Sequence, residues 1–353
     1  MQAIHADGYS IVFNEDGYSE LNGLLAANSY SQIFVITDSN ANEFCIPDFL
    51  AQLETEVNIE VIEIEPGEEQ KHIETCVSIW NVLTEYGADR KALVINVGGG
   101  VVTDLGGFVA STFKRGIDFI HVPTTLLAMV DASVGGKNGV DLGVLKNQVG
   151  TITPPKLLLI DTDFLATLPQ QQMRSGLAEM LKHGLIYDKP YWRKFVDLSQ
   201  VDFSDFDQLI YRSIEIKQEI VSQDPTEKGI RKALNFGHTL GHAIESFYLE
   251  SENPLLHGEA IAVGMLLEAH ISWQKGLLSE AELSEITTAI TEIFGKVEID
   301  ENDLPEIFEL LKHDKKNEYG KVLFSLLDGI GGIKINAQVE NELILKAFAS
   351  YKS

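Results

Sequence analysis

The 353-residue sequence contains very little cysteine: Cys45 and Cys76 are its only two, and neither belongs to a CxxC pair. A disulfide framework and a zinc site built from paired cysteines are therefore both excluded. Isolated cysteines of this kind are typical of buried thiols in a reducing compartment. We predict that both side chains lie in the protein interior.

Long hydrophobic runs are also missing, because no uncharged stretch approaches the roughly 18 residues that a membrane-spanning helix needs. Residues 1–10 have neither the basic start nor the apolar core of a signal peptide. We therefore expect a soluble cytoplasmic protein with no membrane partner.

Positive charge is scarce, since 27 Lys and Arg stand against 53 Asp and Glu, which gives a formal net charge of −26. This balance excludes a nucleic-acid partner, because phosphate backbones are bound through a surplus of basic residues. A small anionic substrate is compatible with it only if basic side chains gather locally, against the field of the whole molecule.

The first half of the chain alternates short apolar stretches with amphipathic ones, which is typical of strands alternating with helices. Strands are predicted at residues 33–37, 59–64, 92–97, 119–122 and 157–160. A helix is predicted at 73–86, with an apolar face formed by Ile73, Val77, Trp80 and Leu83. We predict an α/β fold whose first domain, residues 1–168, is a Rossmann-like, mostly parallel sheet.

After Leu168 nearly the whole sequence has the apolar period of helices. Residues 171–186 carry apolar side chains on one face, whereas residues 257–270 are apolar almost all round, as in the middle helix of a bundle. The second predicted domain, residues 169–353, is therefore all-α. We expect the active site in the cleft between the two domains.

Three glycines, Gly98, Gly99 and Gly100, follow a buried strand and precede a helix. Glycines at such a junction let backbone amides approach a phosphate, and the helix N-terminus adds favourable partial charge. The sequence GGGVVTD lacks the GxGxxG pattern of ordinary dinucleotide sites, so a tight turn that binds no ligand remains an alternative.

Polar side chains follow two other predicted strands. Asp38 and Asn40 come after one of them, and Thr124 and Thr125 come after another. Because ligands of α/β sheets bind where parallel strands end, these residues favour a nucleotide site beside the glycines.

Two histidines, His238 and His242, lie one turn apart in a predicted helix that opens with Asn235 as its N-cap. Glu245 shares their face, which either is solvated or lines a cleft. A metalloprotease site is excluded, because Thr239 stands where the HExxH pattern requires a catalytic glutamate.

A third histidine, His257, begins the next buried helix, where we expect the helix N-terminus to keep the ring neutral and able to bind a metal. Glu179 is the candidate carboxylate, since two histidines and one carboxylate leave an open position, as in catalytic zinc sites. Spacing alone does not bring Glu179 to these histidines, and isolated histidines are commonly structural or solvated.

These residues belong to motifs that resemble the 3-dehydroquinate synthase family, in matching order along nearly the whole chain. The motifs are PGE…K (66–71), GGGVVTDLGGFVA (98–110), KRG (114–116), PTTLLAMVDASVGGKNGVD (123–141), LKN (145–147), RSGLAEMLKHGLI (174–186), GIRKALNFGHTLGHAIE (229–245), HGEAIAVGM (257–265) and DKK (314–316). The resemblance implies an N-terminal NAD-binding domain, a C-terminal helical domain that binds metal and substrate, and a homodimer. It also implies conversion of the phosphorylated keto sugar acid DAHP to 3-dehydroquinate, with loss of phosphate and transient oxidation by NAD.

The same resemblance implies particular residue roles. The metal ligands, for zinc or cobalt, would be Glu179, His238 and His257. NAD would contact Asp38, Asn40, Glu68, Lys71, Gly99, Gly100, Val101, Val102, Thr103, Asp104, Thr124, Thr125, Leu127, Asp131, Lys137, Lys146, Phe164, Thr167 and Leu168. Substrate and catalysis would involve Arg115, Asp131, Lys137, Lys146, Asn147, Lys182, Lys217, Arg231, Asn235, His242, Lys315 and Lys316, with Arg115 reaching the phosphate across the dimer interface. An acidic chain would thus gather several cations in one set of motifs, as an anionic ligand requires.

Three other functions stay open at this stage. Another sugar-phosphate cyclase would act on a sugar without the carboxylate of DAHP, and a metal-dependent polyol dehydrogenase would reduce NAD in net terms. A non-catalytic NAD sensor is the third alternative, although such a module has no use for an open metal position.

Overall fold

The computed structural model describes residues 1–143, 145–196, 206–249, 251, 253–312 and 322–352. The chain divides into two compact units, Met1–Met173 and Arg174–Ser353, and each has a hydrophobic core of its own. The division falls within the first turns of a helix that begins at Gln170, whereas the predicted boundary follows Leu168.

The first unit is built on a seven-stranded sheet. The strands of this unit are β1 (Ile4–Ala6), β2 (Tyr9–Phe13), β3 (Ile33–Asp38), β4 (Ile59–Ile64), β5 (Leu93–Gly98), β6 (Asp118–Pro123), β7 (Lys137–Leu142), β8 (Leu145–Ile152) and β9 (Leu157–Ile160). The sheet order is β1-β2-β9-β6-β5-β3-β4, and every neighbouring pair is parallel except β1 with β2. The prediction of a mostly parallel sheet is confirmed.

The central strands are apolar along their length because both faces of the sheet are covered. All six residues of β5 and all four of β9 are buried. The antiparallel edge has a different cause: a tight turn with Gly8 at φ 83° reverses the chain between β1 and β2. Strands β7 and β8 pair as a separate antiparallel hairpin, which the sequence did not predict.

The helices of the first unit are α1 (Asn14–Ala27), α2 (Ser39–Phe44), α3 (Ile46–Ala51), α4 (Ile73–Glu85) and α5 (Gly100–Thr112). Helix α4 lies where it was expected, but its buried face includes Cys76 and Ile79, while Val77 is 45% exposed. The predicted apolar face is wrong at Val77, because the small side chain of Cys76 was not counted among the apolar positions of the helix. Both cysteines are buried free thiols, as predicted.

The second unit is mainly helical. Its helices are α6 (Gln170–Tyr187, which begins in the first unit), α7 (Lys189–Val196), α8 (Phe206–Gln223), α9 (His238–Tyr248), α10 (His257–Gln274), α11 (Glu280–Phe294), α12 (Leu304–Lys312) and α13 (Asn341–Lys352). Helix α10 is buried on nearly every side and packs against α9, α11 and α13. Its predicted place in the middle of the helices is therefore confirmed.

The prediction that the second domain contains only helices is wrong in one place. Strands β10 (Leu323–Leu327) and β11 (Ile333–Gln338) form a two-stranded antiparallel sheet. Turn glycines between them, including Gly329 and Gly331 in left-handed conformation, reverse the chain. Within the described ranges, no helix combines the length and the hydrophobicity that a bilayer crossing demands.

Candidate functional site

In the first unit, the polar residues predicted to bind a nucleotide follow three adjacent strands. Asp38 ends β3, Gly98 ends β5 and is followed by the other two glycines, and Thr124 follows β6. These strands are neighbours and parallel, so their carboxyl ends lie at one edge of the sheet. The Thr124 amide donates to the Gly98 carbonyl at 2.9 Å, which joins two of the three segments directly.

The glycine loop starts helix α5. Gly99 is its N-cap and contributes no side chain to the first turn, which spans Gly100 to Thr103. A helix N-terminus with exposed backbone donors favours an anion such as a phosphate. The helix begins at Gly100, so Val101 and Val102 belong to it.

A cluster of opposite charges brings together residues from four separate motifs. The Lys71 ammonium lies 2.7 Å from Asp104 and 3.9 Å from Glu68, and the Lys146 ammonium lies 2.8 Å from Glu68. Burial alone lowers the pKa of Lys71, but Asp104, Glu68 and Asp141 together raise it above its usual value. All of these residues except Asp141 belong to the predicted NAD set.

Asp141 also orders the neighbouring loop, a role that the sequence did not predict. Its carboxylate accepts from the Asn147 amide at 2.5 Å, and Asn147 has a left-handed backbone with φ 51°. Lys137 begins β7, while Asp131 lies in a π-helical turn at Ala128–Ala132 that Leu127 precedes. These residues therefore occupy the hairpin and the turn that pack against α5.

Cys45 connects further predicted residues that are distant in sequence. Its thiol hydrogen-bonds to Thr124 and to Thr167, and burial, followed by the Asp38 carboxylate, raises its pKa to about 11. The thiol is therefore protonated at neutral pH. No sequence pattern predicted this contact, because a lone cysteine belongs to no motif.

The remaining predicted residues of this unit are more dispersed. Phe164 is buried in the 3₁₀ helix Thr162–Thr167, which Leu168 ends, and Asn40 is exposed in α2. Arg115 is exposed after α5 with a left-handed backbone, φ 71°. Its proposed reach across a dimer stays a prediction.

In the second unit, three helices bring Glu179, His238 and His257 together. Glu179 lies in the middle of α6, and each histidine is the first residue of its helix. The Glu179 Oε1 atom is 3.4 Å from His238 Nε2 and 3.5 Å from His257 Nε2. Atoms bound to one tetrahedral zinc ion at roughly 2.1 Å lie about 3.4 Å apart, so these side chains fit such an ion.

His242 joins the same group. One nitrogen from each of His238, His242 and His257 lies within 4.8 Å of the others. Two sets of three donors therefore share two histidines. The set with Glu179 has oxygen–nitrogen separations of 3.4 and 3.5 Å and adds a negative charge, which favours it as the ligand set and leaves His242 beside it.

Hydrogen bonds on the far nitrogen orient both candidate histidine ligands. His238 Nδ1 lies 3.1 Å from the Phe236 carbonyl, and His257 Nδ1 lies 3.2 Å from a carboxylate oxygen of Glu245. With Nδ1 as donor, Nε2 carries the lone pair that a metal needs. Glu245 was placed on the histidine face from sequence, but its contact with His257 was not foreseen.

The protonation of His257 differs from the expectation. Burial lowers the pKa of this ring, but Glu245 and Glu179 raise it more, to about 10. The two carboxylates therefore outweigh the partial charge of the helix N-terminus, which was expected to keep the ring neutral. Their field favours a cation at this position, as a metal site requires.

Several predicted substrate residues of this unit are buried cations. Lys182 is 1% exposed, Lys217 6% and Arg231 2%, and Lys182 pairs with Glu179 one turn away. Lysine and arginine are rarely buried without a purpose. The three side chains therefore do not belong to exposed loops.

The other predicted residues of this unit are Asn235, Lys315 and Lys316. Asn235 lies in a 3₁₀ helix and donates to Glu227 at 3.0 Å, whereas the N-cap of α9 is Gly237. Its predicted capping role is therefore wrong. Lys315 and Lys316 lie outside the described residues.

Comparison with known proteins covers both units. A family model described as 3-dehydroquinate synthase N-terminal matches residues 61–175, and one described as 3-dehydroquinate synthase C-terminal matches residues 176–317. A 3-dehydroquinate synthase from Parabacteroides distasonis is 40% identical over 344 residues, which cover 97% of this chain and 97% of that protein.

Two solved structures share the fold over their full length. The 2-epi-5-epi-valiolone synthase of Streptomyces hygroscopicus subsp. jinggangensis, with NAD+ and Zn2+ bound, has a TM-score of 0.87 at 28% identity and covers 100% of this chain and 99% of its own. A 2-deoxy-scyllo-inosose synthase, complexed with carbaglucose-6-phosphate, NAD+ and Co2+, has a TM-score of 0.86 at 28% identity and covers 99% of both chains.

Proposed function

The chain belongs to the 3-dehydroquinate synthase family, and from this premise we propose that it converts DAHP (3-deoxy-D-arabino-heptulosonate 7-phosphate) to 3-dehydroquinate and phosphate. The enzyme is then a carbon–oxygen lyase of the shikimate pathway. The observation that carries the proposal is the convergence of Glu179 with His238 and His257, in a chain that matches this family along nearly its whole length.

The first unit would hold NAD at the edge formed by β3, β5 and β6. The glycine loop and the N-terminus of α5 supply donors for the pyrophosphate, and Asp38 supplies an acceptor for a ribose hydroxyl. NAD held there would supply transient oxidation, accepting a hydride from a substrate alcohol and returning it later, so that the reaction would involve no net oxidation. The charge cluster around Lys71 and Glu68 would fix the loops that close on the cofactor.

The second unit would hold a divalent ion, zinc or cobalt, on Glu179, His238 and His257. Such an ion acts as a Lewis acid that lowers the pKa of substrate hydroxyls and assists hydride loss. The structural relatives named above contain these two ions. The hydrogen bonds that the Nδ1 atoms of His238 and His257 donate to Phe236 and Glu245 would keep both Nε2 atoms directed at the ion.

The buried cations would bind the anionic groups of the substrate. Lys182, Lys217 and Arg231 carry charge into the interior of an acidic protein, where a carboxylate or phosphate is bound strongly. His242 and Lys137 would orient the phosphate, which can itself remove the proton next to the transient ketone. In a proposed homodimer, Arg115 of the partner subunit would complete the phosphate site.

A second candidate is another sugar-phosphate cyclase, because the structural match to 2-epi-5-epi-valiolone synthase extends over the full chain. Two observations favour DAHP. The identity to 3-dehydroquinate synthase is 40%, against 28% to the other cyclase. DAHP also has a carboxylate that Lys217 and Arg231 can neutralise, whereas the substrates of the other cyclases carry a phosphate but no carboxylate.

The direct test is phosphate release from DAHP, measured with and without added NAD and a metal chelator. We expect release that stops on chelation and that leaves no accumulated NADH. Sedoheptulose 7-phosphate and glucose 6-phosphate should give little or no phosphate. Stoichiometric NADH formation would identify a dehydrogenase instead. Faster phosphate release from either of these two sugar phosphates than from DAHP would identify a different cyclase.

A further inference from the structure

Glu268 is a fully buried glutamate in the middle of α10, outside the residues discussed so far. Its carboxylate accepts two backbone hydrogen bonds from the start of the neighbouring helix α9. The Gly237 amide lies 2.7 Å from Oε2, and the Leu240 amide lies 3.1 Å from Oε1. Burying a carboxylate is costly, so its contacts at this position require an explanation.

Helix α9 lacks a cap from its own sequence. Its N-cap is Gly237, which has no side chain and adopts a left-handed backbone with φ 78°. The N-cap and N3 amides, here Gly237 and Leu240, are the two donors that a capping box satisfies within one chain segment. Glu268 satisfies both from another helix and places a negative charge at the positive end of the helix dipole.

This cap acts on the segment that carries a candidate metal ligand. His238 follows Gly237 directly. Its Nδ1 atom is hydrogen-bonded to the carbonyl of Phe236, the residue before that glycine. The backbone of residues 236–238 therefore determines the direction of His238 Nε2, which lies 3.4 Å from Glu179.

Helices α9 and α10 pack closely, so the position of α10 constrains the backbone at the start of α9. A Cβ atom added at Gly264, one turn before Glu268, would lie 1.9 Å from the Gly237 carbonyl oxygen. The start of α9 thus rests directly on α10. Because α10 also begins with His257, one helix presents the second histidine and holds the backbone of the first.

We propose that Glu268 is a positioning residue of the metal centre, which fixes His238 for coordination by capping α9 from α10. The proposal rests on the metal site of the proposed function. It goes further, because it assigns the geometry of that site to a residue that touches neither metal nor substrate.

The test compares Co2+ binding by the wild-type chain and by Glu268→Gln, both freed of metal. Co2+ affinity is measured by competition with a chelator, and the ligand geometry is followed by the visible absorption of bound Co2+. Outer partners of metal-bound histidines commonly affect affinity by about 10-fold to 100-fold. We expect a loss of about 10-fold or more for Glu268→Gln, with an altered Co2+ spectrum.

Ser272→Ala is the matched control, because Ser272 is also fully buried on α10 but donates to the Glu268 carbonyl and accepts from Leu327 rather than contacting α9. It should lower the thermal midpoint and leave Co2+ affinity and spectrum unchanged. If Glu268→Gln also changed only the midpoint, the cap would be purely structural and the proposal would be overturned.

Glu268→Asp separates position from charge and also serves if Glu268→Gln does not fold. It keeps the carboxylate but withdraws it from α9 by one methylene group. Weaker binding and a changed spectrum support positioning, whereas wild-type binding overturns it. Wild-type protein that fails to bind Co2+ would contradict the proposed function itself, so the two failures are distinct.

Discussion

The two units assemble their candidate sites in different ways. In the first unit, Asp38 and Gly98 end two adjacent parallel strands and Thr124 follows the next one, so the sheet order alone brings them to one edge. In the second unit, Glu179 and the two histidines come from three helices and meet only through helix packing. A site made by topology tolerates small shifts of its side chains, whereas a site made by packing depends on each contact between helices.

This difference gives a consequence that can be measured. A change in the second unit should affect metal binding and leave NAD binding intact, and a change in the first unit should do the reverse. The predictions below test that separation, beginning with the largest expected effect.

His238→Ala removes a candidate metal ligand. We expect turnover to fall by about a thousand-fold or more, since metal-ion catalysis contributes several kcal/mol. NAD affinity, measured by calorimetry, should change by less than about twofold, because the residue lies outside the nucleotide edge. His5→Ala, at an exposed histidine, is the control. A fully active His238→Ala enzyme would show that the ligand assignment is mistaken.

Gly264→Ala tests the packing of α9 on α10. The new methyl group would lie 1.9 Å from the Gly237 carbonyl oxygen, so the helices must separate. We expect a loss of about 3 kcal/mol in the free energy of unfolding, measured with urea, together with weaker metal binding.

Gly23→Ala provides the matched glycine. It lies inside α1 with nothing within 4 Å of the added atom. Alanine should stabilise the helix there by roughly 0.5–1 kcal/mol. Opposite signs for the two glycines are therefore expected, and a destabilised Gly23→Ala would contradict the argument.

Lys71→Met tests the charge cluster of the first unit. Removing the buried Lys71 ammonium leaves the carboxylates of Asp104 and Glu68 close together without that positive charge. Because both carboxylates are partly exposed, we expect a loss of only about 2 kcal/mol in the free energy of unfolding. NAD affinity should fall while Co2+ affinity stays unchanged. Lys156→Met, at a half-exposed surface pair with Asp118, should alter neither property. Loss of Co2+ binding in Lys71→Met would break the proposed separation of the units.

His121→Gln tests a buried neutral histidine of β6. Burial lowers the pKa of His121 from 6.5 to about 4, against an opposing hydrogen bond with Asn138. Between these values the unfolded chain takes up a proton that the folded chain does not, so the free energy of unfolding decreases as the pH falls.

The expected size is about 1 kcal/mol between about pH 7 and about pH 5.5 for this one group. Urea titrations at both values should give a smaller decrease for His121→Gln than for the wild type. Equal decreases would mean that His121 is not the source of this acid sensitivity.

Much of the first unit was predictable, because glycines and polar residues in the sequence indicate where its strands end. The strands at 59–64 and 157–160 have the expected bounds. The hairpin of β7 and β8 was missed because Gly139 and Gly150, packed against each other, interrupt the apolar alternation of ordinary strands.

The second unit was predictable at the level of helices and motifs, but less so in its details. The sequence suggested Asn235 as the cap of α9, since asparagine is a preferred capping residue. The structure uses Glu268 instead, from a helix that begins after α9 has ended. Local propensity contains no information about such a contact.

By itself, the sequence determined the parallel sheet, the helical second half and the types of side chain available for phosphate and metal. These follow from apolar period, glycine placement and charge, which act over a few residues. Only the tertiary structure decided that Glu179 Oε1 lies within 3.5 Å of two imidazoles and that two carboxylates favour a cation there. The reason is that distances between helices depend on the packing of side chains far apart in the chain, such as Gly264 against Gly237.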